Sequence, residues 1–287
     1  KAFMWDEISC IDNLDDFIQT YSKKSLGFST ASITKNKNSA IMSQKNKIEL
    51  QLPSTTQLIE TKSLEFDHRL LIDSEALKCV NKAILLSQKA YQKVVLALEH
   101  ALSESDLYGV LIGEIWKWSC FGPSFPAIVA SGKQALCLHY TQNNQKLEPR
   151  GLVLIDFGVR WQSYVSDITR TLPVDSNTHP IDALVYELVF QTQSYVESLV
   201  KPGVSLDQLN MACWKFMKEL LNKHILQKDG QVITSYKNQP HQVGHFIGIA
   251  VHDGDAGRDY KTKPLREGQI ITNEPGFYGK ESMKYDN

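Results

Sequence analysis

The chain is poor in the features that would announce several common kinds of protein. Cysteine is scarce, with five in 287 residues. Cys10, Cys79, Cys120, Cys137 and Cys213 are scattered, odd in number and never arranged as CxxC, which excludes a thiolate zinc site built on that motif and argues against a disulfide framework. Reduced thiols point to a cytoplasmic protein. No apolar run reaches the ~20 residues needed to cross a bilayer, so no membrane span is expected. Charge of one sign is also missing: 31 Lys and Arg stand against 32 Asp and Glu, a net charge of -1. That balance gives no reason to expect nucleic acid or an anionic membrane as partner. The start, KAFMWDEISC, has neither a signal-peptide apolar core nor an initiator Met, and the expectation is that the true N-terminus lies further upstream.

What is present is a 42% hydrophobic composition, sufficient for a large core in one or two domains. Residues 1–72 are polar and weakly patterned and read as the remnant of a small N-terminal domain and a linker. From Asp73 the pattern changes. Ala76, Leu77, Val80, Ala83, Ile84, Tyr91, Val94, Val95 and Leu98 recur at three- and four-residue steps, a long amphipathic helix that Asp73 or Ser74 can cap. Ser105 to Trp118 reads as a second helix, with Leu107, Val110, Leu111, Ile115 and Trp118 on one face, stopped by FGPSFP. AIVASG, ALCLHY, LVLIDFG and SYVSDITRTLPV read as short strands. Helices return after Pro180. Lys201-Pro202-Gly203 separates two of them, and Ser205 with Gln208 forms a capping box for the second. Strand-like runs resume after Pro240 as far as Tyr278. Helices and strands in two similar halves predict an α+β fold, with helices covering one face of a curved sheet.

The stretch from Leu152 to Thr171, LVLIDFGVRWQSYVSDITRT, carries the chemistry. Asp156 and Asp167 end two apolar runs joined by a segment short enough for a hairpin. Each alone reads equally as a strand-end aspartate making a turn. Neighbouring strands lie about 4.8 Å apart, so the two carboxylates can enter one space, where they repel unless a cation lies between them. His241, His245 and His252 fall in HQVGHFIGIAVHD, and Glu274 ends the apolar run before Pro275-Gly276. A lone strand histidine is usually structural; three within twelve positions, interleaved with Gly244 and Gly248, are not so easily dismissed. Several carboxylates with one imidazole suit a hard or borderline divalent ion such as manganese, not a structural zinc.

In this order and spacing, LHYT, LVLIDFG, YVSDITRTLPV, the HxxxH…VHD segment and EPGFY resemble the creatinase/aminopeptidase P family. The likeness covers about residues 73 to 280, and its nearest branch is Xaa-Pro aminopeptidase. It implies the pita-bread fold, here an α+β catalytic domain over 73–287 with a curved antiparallel sheet and helices on its outer face. It implies two divalent ions, manganese before zinc or cobalt, with Asp156 a terminal ligand, Asp167 a bridge, His245 a ligand of the second ion and Glu274 a ligand and proton shuttle. His139, His241 and His252 match histidines of the substrate site. The implied reaction is hydrolysis of the N-terminal Xaa-Pro bond of a peptide whose second residue is proline, by a homodimer or homotetramer. Xaa-Pro dipeptidase, methionine aminopeptidase and a non-catalytic peptide- or protein-binding module are the alternatives. The family's further bridging Glu, in an RIED-like motif after the EPG segment, has no counterpart before Asn287, so the expectation is a domain truncated at its C-terminus.

Overall fold

Asp73 fixes the start of the first long helix: its Oδ1 accepts from the Ala76 amide at 2.8 Å, satisfying a donor that the first turn leaves open. This helix, α1, spans Ser74–Leu98. Its buried stripe runs through Ala76, Val80, Ala83, Ser87, Ala90 and Val94, while Leu77 and Val95 face outward. Ser103 and Asp106 form a reciprocal capping box for α2, Glu104–Trp118, whose buried face is Glu104, Leu107, Leu111 and Ile115. Trp118, expected on that face, is exposed and lies under Lys89.

The computed structural model describes residues 26–28, 58–60, 68–176, 179–224, 241–254 and 260–278. The chain divides into two units, Lys1–His68 and Arg69–Asn287, four residues before the change of pattern at Asp73. In the first unit β1 (Leu26–Phe28) and β2 (Leu58–Glu60) pair in parallel. In the second, β3 (Ile128–Ser131), β4 (Leu152–Phe157) and β7 (Ile168–Pro173) form an antiparallel sheet in the order β3-β4-β7. Along the chain, the hairpin of β5 (Arg160–Trp161) and β6 (Tyr164–Val165) connects β4 to β7 and forms a separate two-stranded sheet.

Strand periodicity sorts β4 into two faces. Val153, Ile155 and Phe157 are fully buried and join Leu86, Ala90 and Val94 of α1 and Leu107, Leu111 and Ile115 of α2 in the main core. Leu152, Leu154 and Asp156 point the other way. The helices therefore cover one face of the sheet and leave the aspartate on the opposite face. Gly158 follows at once. A Cβ there would overlap the Ser166 carbonyl oxygen and Ser124 Oγ, so only glycine lets the strand end pass this close to the turn before β7.

A second helix pair follows. Pro180 opens α3 (Pro180–Leu199), and Ser205 and Gln208 cap α4 (Leu206–His224) reciprocally. Their inner faces meet through Leu188, Met217 and Leu221. Leu209, Cys213 and Trp214 of α4 pack with Val243, Phe246 and Leu265.

Two of the expected strand regions differ. In ALCLHY the chain instead leaves Ser131 through Gly132, at φ +52, into a 3-10 helix, Gly132–Leu136, and a turn holding His139 at φ 58. After Pro240, the segments around Phe246 and Ile271 meet as a single bridge. One side of that pairing is made by a side chain: Thr272 N donates to the His245 carbonyl at 2.9 Å, but the return bond from His245 N goes to Thr272 Oγ1 at 2.9 Å.

Candidate metal centre

Asp156 sits near the end of β4, opposite Thr169 of β7 in the antiparallel register. Its Oδ1 is buried and has no hydrogen-bond partner. Burial, and then the nearby charge of Asp167, push its carboxyl up to about 7, against a hydrogen bond from Thr169 that favours the ionised form. Asp167 follows β6, on the turn that Ser166 anchors. Ser166 Oγ accepts from Val159 N at 2.9 Å and shares a 2.7 Å hydrogen bond with Ser87 Oγ on α1. The hairpin between the aspartates thus closes on itself beside Gly158 and brings Asp167 back to the Asp156 end.

The other half of the site comes from beyond α4. His245 Nε2 lies 3.3 Å from Asp167 Oδ2 and 3.2 Å from Glu274 Oε1. Its Nδ1–H donates to the Phe246 carbonyl at 3.0 Å, which leaves Nε2 as the nitrogen facing the carboxylates. Burial opposes a charge on this ring, but the contacts with Asp167 and Glu274 and the Phe246 carbonyl prevail and raise its pKa to about 10. Burial likewise works against ionised Glu274, and His245 outweighs it, so Glu274 is held below the usual carboxylate range.

Two residues without any prominence in the sequence set this geometry. Thr272 Oγ1 accepts from His245 N and donates to Glu274 Oε1 at 2.8 Å. Gly244 admits the Thr272 backbone, whose carbonyl oxygen a Cβ at this position would overlap. A lone Thr two residues before a Glu gives no signal in sequence; the glycine beside a histidine gives a faint one.

The remaining histidines divide. The His252 ring packs edge-on against His245, centroids 4.2 Å apart. His241 Nε2 is 3.1 Å from Tyr278 Oη, its Nδ1 bonds the Gln242 carbonyl, and its ring is edge-on to Trp214. His139 is exposed on the turn after the 3-10 helix. The structure therefore brings Asp167, His245 and Glu274 into contact, Asp156 within their electrostatic reach and His252 against the cluster.

Three carboxylates converge here with one imidazole, and one carboxylate oxygen is buried without a partner. Hard oxygen donors with a single nitrogen fit a divalent cation. Among the described residues no group of three or more His, Cys, Asp or Glu side chains is arranged to hold a metal ion as it stands; the donors instead close on one another through His245.

Solved structures share this architecture. One, a putative aminopeptidase P from Bacillus anthracis, aligns with a TM-score of 0.82 at 26% identity, covering 94% of this chain and 65% of that one. Another, aminopeptidase P from E. coli with the inhibitor Pro-Leu, aligns with a TM-score of 0.72 at 25% identity, over 88% and 60%. The fold is the pita-bread fold of aminopeptidase P. Metallopeptidase family M24 matches residues 78–286, and the chain belongs to that family, which implies divalent metal ions. Xaa-Pro aminopeptidase 3 of Rattus norvegicus is 34% identical over 216 residues, covering 74% of this chain and 42% of the relative. The chain spans about half the length, or less, of the curated relatives it matches. Among the described residues, no helix is long and apolar enough to cross a membrane.

Proposed function

We propose that this chain carries the catalytic centre of a metal-dependent Xaa-Pro aminopeptidase, with Asp156, Asp167, His245 and Glu274 holding two divalent ions, manganese first among them. The observation that carries the reading is the meeting of His245 with Asp167 and Glu274, at 3.3 and 3.2 Å, next to the partnerless buried oxygen of Asp156. Ligation takes the proton from His245 and frees Nε2, as metal binding to an imidazole must.

Divalent ions at such a site supply Lewis acidity and an acidic water at neutral pH. The protein groups do the rest. Glu274 accepts the proton of the attacking water and returns it to the departing proline nitrogen. His252, packed on His245, donates a hydrogen bond to the scissile carbonyl oxygen as negative charge develops there. His241, braced by Tyr278 and Trp214, and His139 line the peptide. We assign the substrate as a peptide with proline second, the assembly as a dimer or tetramer, and the location as cytoplasmic; the last rests on Cys79, Cys120, Cys137 and Cys213 as free thiols.

The test is the full-length protein with manganese, assayed on matched Xaa-Pro and Xaa-Ala peptides of two to five residues. Release of the first residue from Xaa-Pro tripeptides and longer is expected. Cleavage of dipeptides alone favours the dipeptidase, equal rates on Xaa-Ala favour a methionine-aminopeptidase-like enzyme, and no cleavage favours a binding module.

A further inference from the structure

The side chain of Glu104 is fully buried at the start of α2, and all of its partners lie in one segment. Its Oε1 accepts from the Ser131 amide at 2.8 Å and from Ser131 Oγ at 3.0 Å. Its Oε2 accepts from Tyr140 Oη at 2.7 Å and from the Gln145 amide at 2.9 Å. One carboxylate thus holds the segment where it leaves β3, at its middle, and where it comes back. The middle anchor adjoins His139, whose backbone is left-handed at φ 58. Left-handed backbone is uncommon outside glycine, although histidine tolerates it better than most residues, and the Tyr140 hydroxyl bonded to Glu104 fixes the chain next to it.

The anchored segment lies over a particular face. Tyr140 packs with Ile128, Ala130 and Leu154. Ile128 is the register partner of Asp156, and Ala130 that of Leu154. Paired residues on adjacent strands share a face, so Tyr140 sits on the side of the sheet that carries Asp156. A buried carboxylate that meets four donors is costly to bury and costly to disturb. An apolar residue of the same size would fill the volume but would leave the Ser131 and Gln145 amides and the Ser131 and Tyr140 hydroxyls without this acceptor.

We propose that Glu104 is a positioning residue for the reaction: it clamps the His139 turn over the Asp156 face, so that the segment forms a fixed wall of the peptide site. This rests on the peptidase reading given above. Glu104 touches no reacting atom in this account and acts only through the turn.

The experiment uses manganese-loaded full-length protein, with Glu104→Gln, Tyr140→Phe, His139→Ala and the Glu104→Gln/His139→Ala double variant. Gln replaces one accepting oxygen by a donor and unseats part of the clamp. Tyr140→Phe deletes one hydrogen bond and leaves the carboxylate, so it reports on the clamp even where Glu104→Gln does not fold. Hydrogen–deuterium exchange of the peptides covering 132–142 is expected to rise about tenfold or more in both variants, with α1 and α3 unchanged. On an Xaa-Pro peptide, kcat/KM is expected to fall by up to about 10²-fold in Glu104→Gln, and the double variant should be no worse than His139→Ala alone. Additive losses in the double variant, or exchange that rises evenly through the chain, overturn the clamp. Unchanged local exchange in an active enzyme overturns it as well. A wild-type protein without peptidase activity overturns instead the peptidase reading, and with it the role given to His139.

Discussion

Nε2 of His245 and Oε1 of Glu274 meet at 3.2 Å, and Thr272 holds them there with a bond to each residue. Oriented partners behind metal ligands usually tune affinity about 10–100-fold. Thr272→Val keeps the size and removes both bonds. It is expected to lower manganese affinity within that range, measured by calorimetric titration, while the melting temperature with metal in excess changes little. Unchanged affinity would show that Glu274 needs no such support.

The pKa values set a pH dependence for the metal-free protein. Asp156 is raised from 3.8 to about 7, so the folded state holds its proton better than the unfolded one; stability is lost as pH rises from about 4 through 7. His245 is raised from 6.5 to about 10, so its contribution is full below 6.5 and is lost as pH rises toward 10. Glu274, held below 4.5, works the other way, and its contribution falls off only under acid. With chelator present, the melting temperature should therefore decline from about pH 5 to pH 10. Asp156→Asn should remove the part of the decline below pH 7. Scanning calorimetry of both proteins checks this, and an identical slope in the variant would contradict it. Added divalent cation should stabilise more as pH rises, because it binds the deprotonated donors.

Gly158 and Gly109 test the close approach behind the aspartates. Gly158→Ala puts a methyl into the Ser166 carbonyl and Ser124 Oγ, whereas an added Cβ at Gly109 on α2 meets nothing. The first is expected to cost about 1–3 kcal/mol or more and to weaken metal binding as Asp156 and Asp167 shift. The second is expected to be neutral or to gain about 0.5–1 kcal/mol. Chemical denaturation of each variant gives the comparison. Equal stability of the two would mean that the strand end can relax.

Local rules carried far along this chain and then stopped. Helix starts at Asp73, Ser103 and Ser205 follow from side chains that bond their own first turns, chemistry contained within a few residues. The buried stripe of α1 is also local, although Leu77 and Val95 satisfied the same spacing and ended outside it; which apolar edge turns inward is decided by α2 and β4. Asp156, Asp167, His245 and Glu274 stand out in the sequence as chemical types in a spacing; the structure brings Asp167, His245 and Glu274 into contact from segments far apart and leaves Asp156 within their electrostatic reach. Glu104 looks like any first-turn acid that favours the helix dipole, and Thr272 like any strand threonine. Their importance lies in partners that no local pattern names. The ALCLHY run had strand composition, but Gly132 and the Glu104 hub turn it away from the sheet. The segments after Pro240 pair through a threonine hydroxyl, so their alternation does not become a regular ladder.

The most direct measurement of the account is metal content together with peptidase rate, on full-length protein and on its Asp167→Asn variant. In the proposed site Asp167 is shared by both ions. After equilibration with manganese and removal of excess, elemental analysis should find two ions per wild-type chain and no more than one in Asp167→Asn, with hydrolysis of an Xaa-Pro peptide reduced to background in the variant. Full manganese content and undiminished rate in Asp167→Asn would contradict the site proposed here.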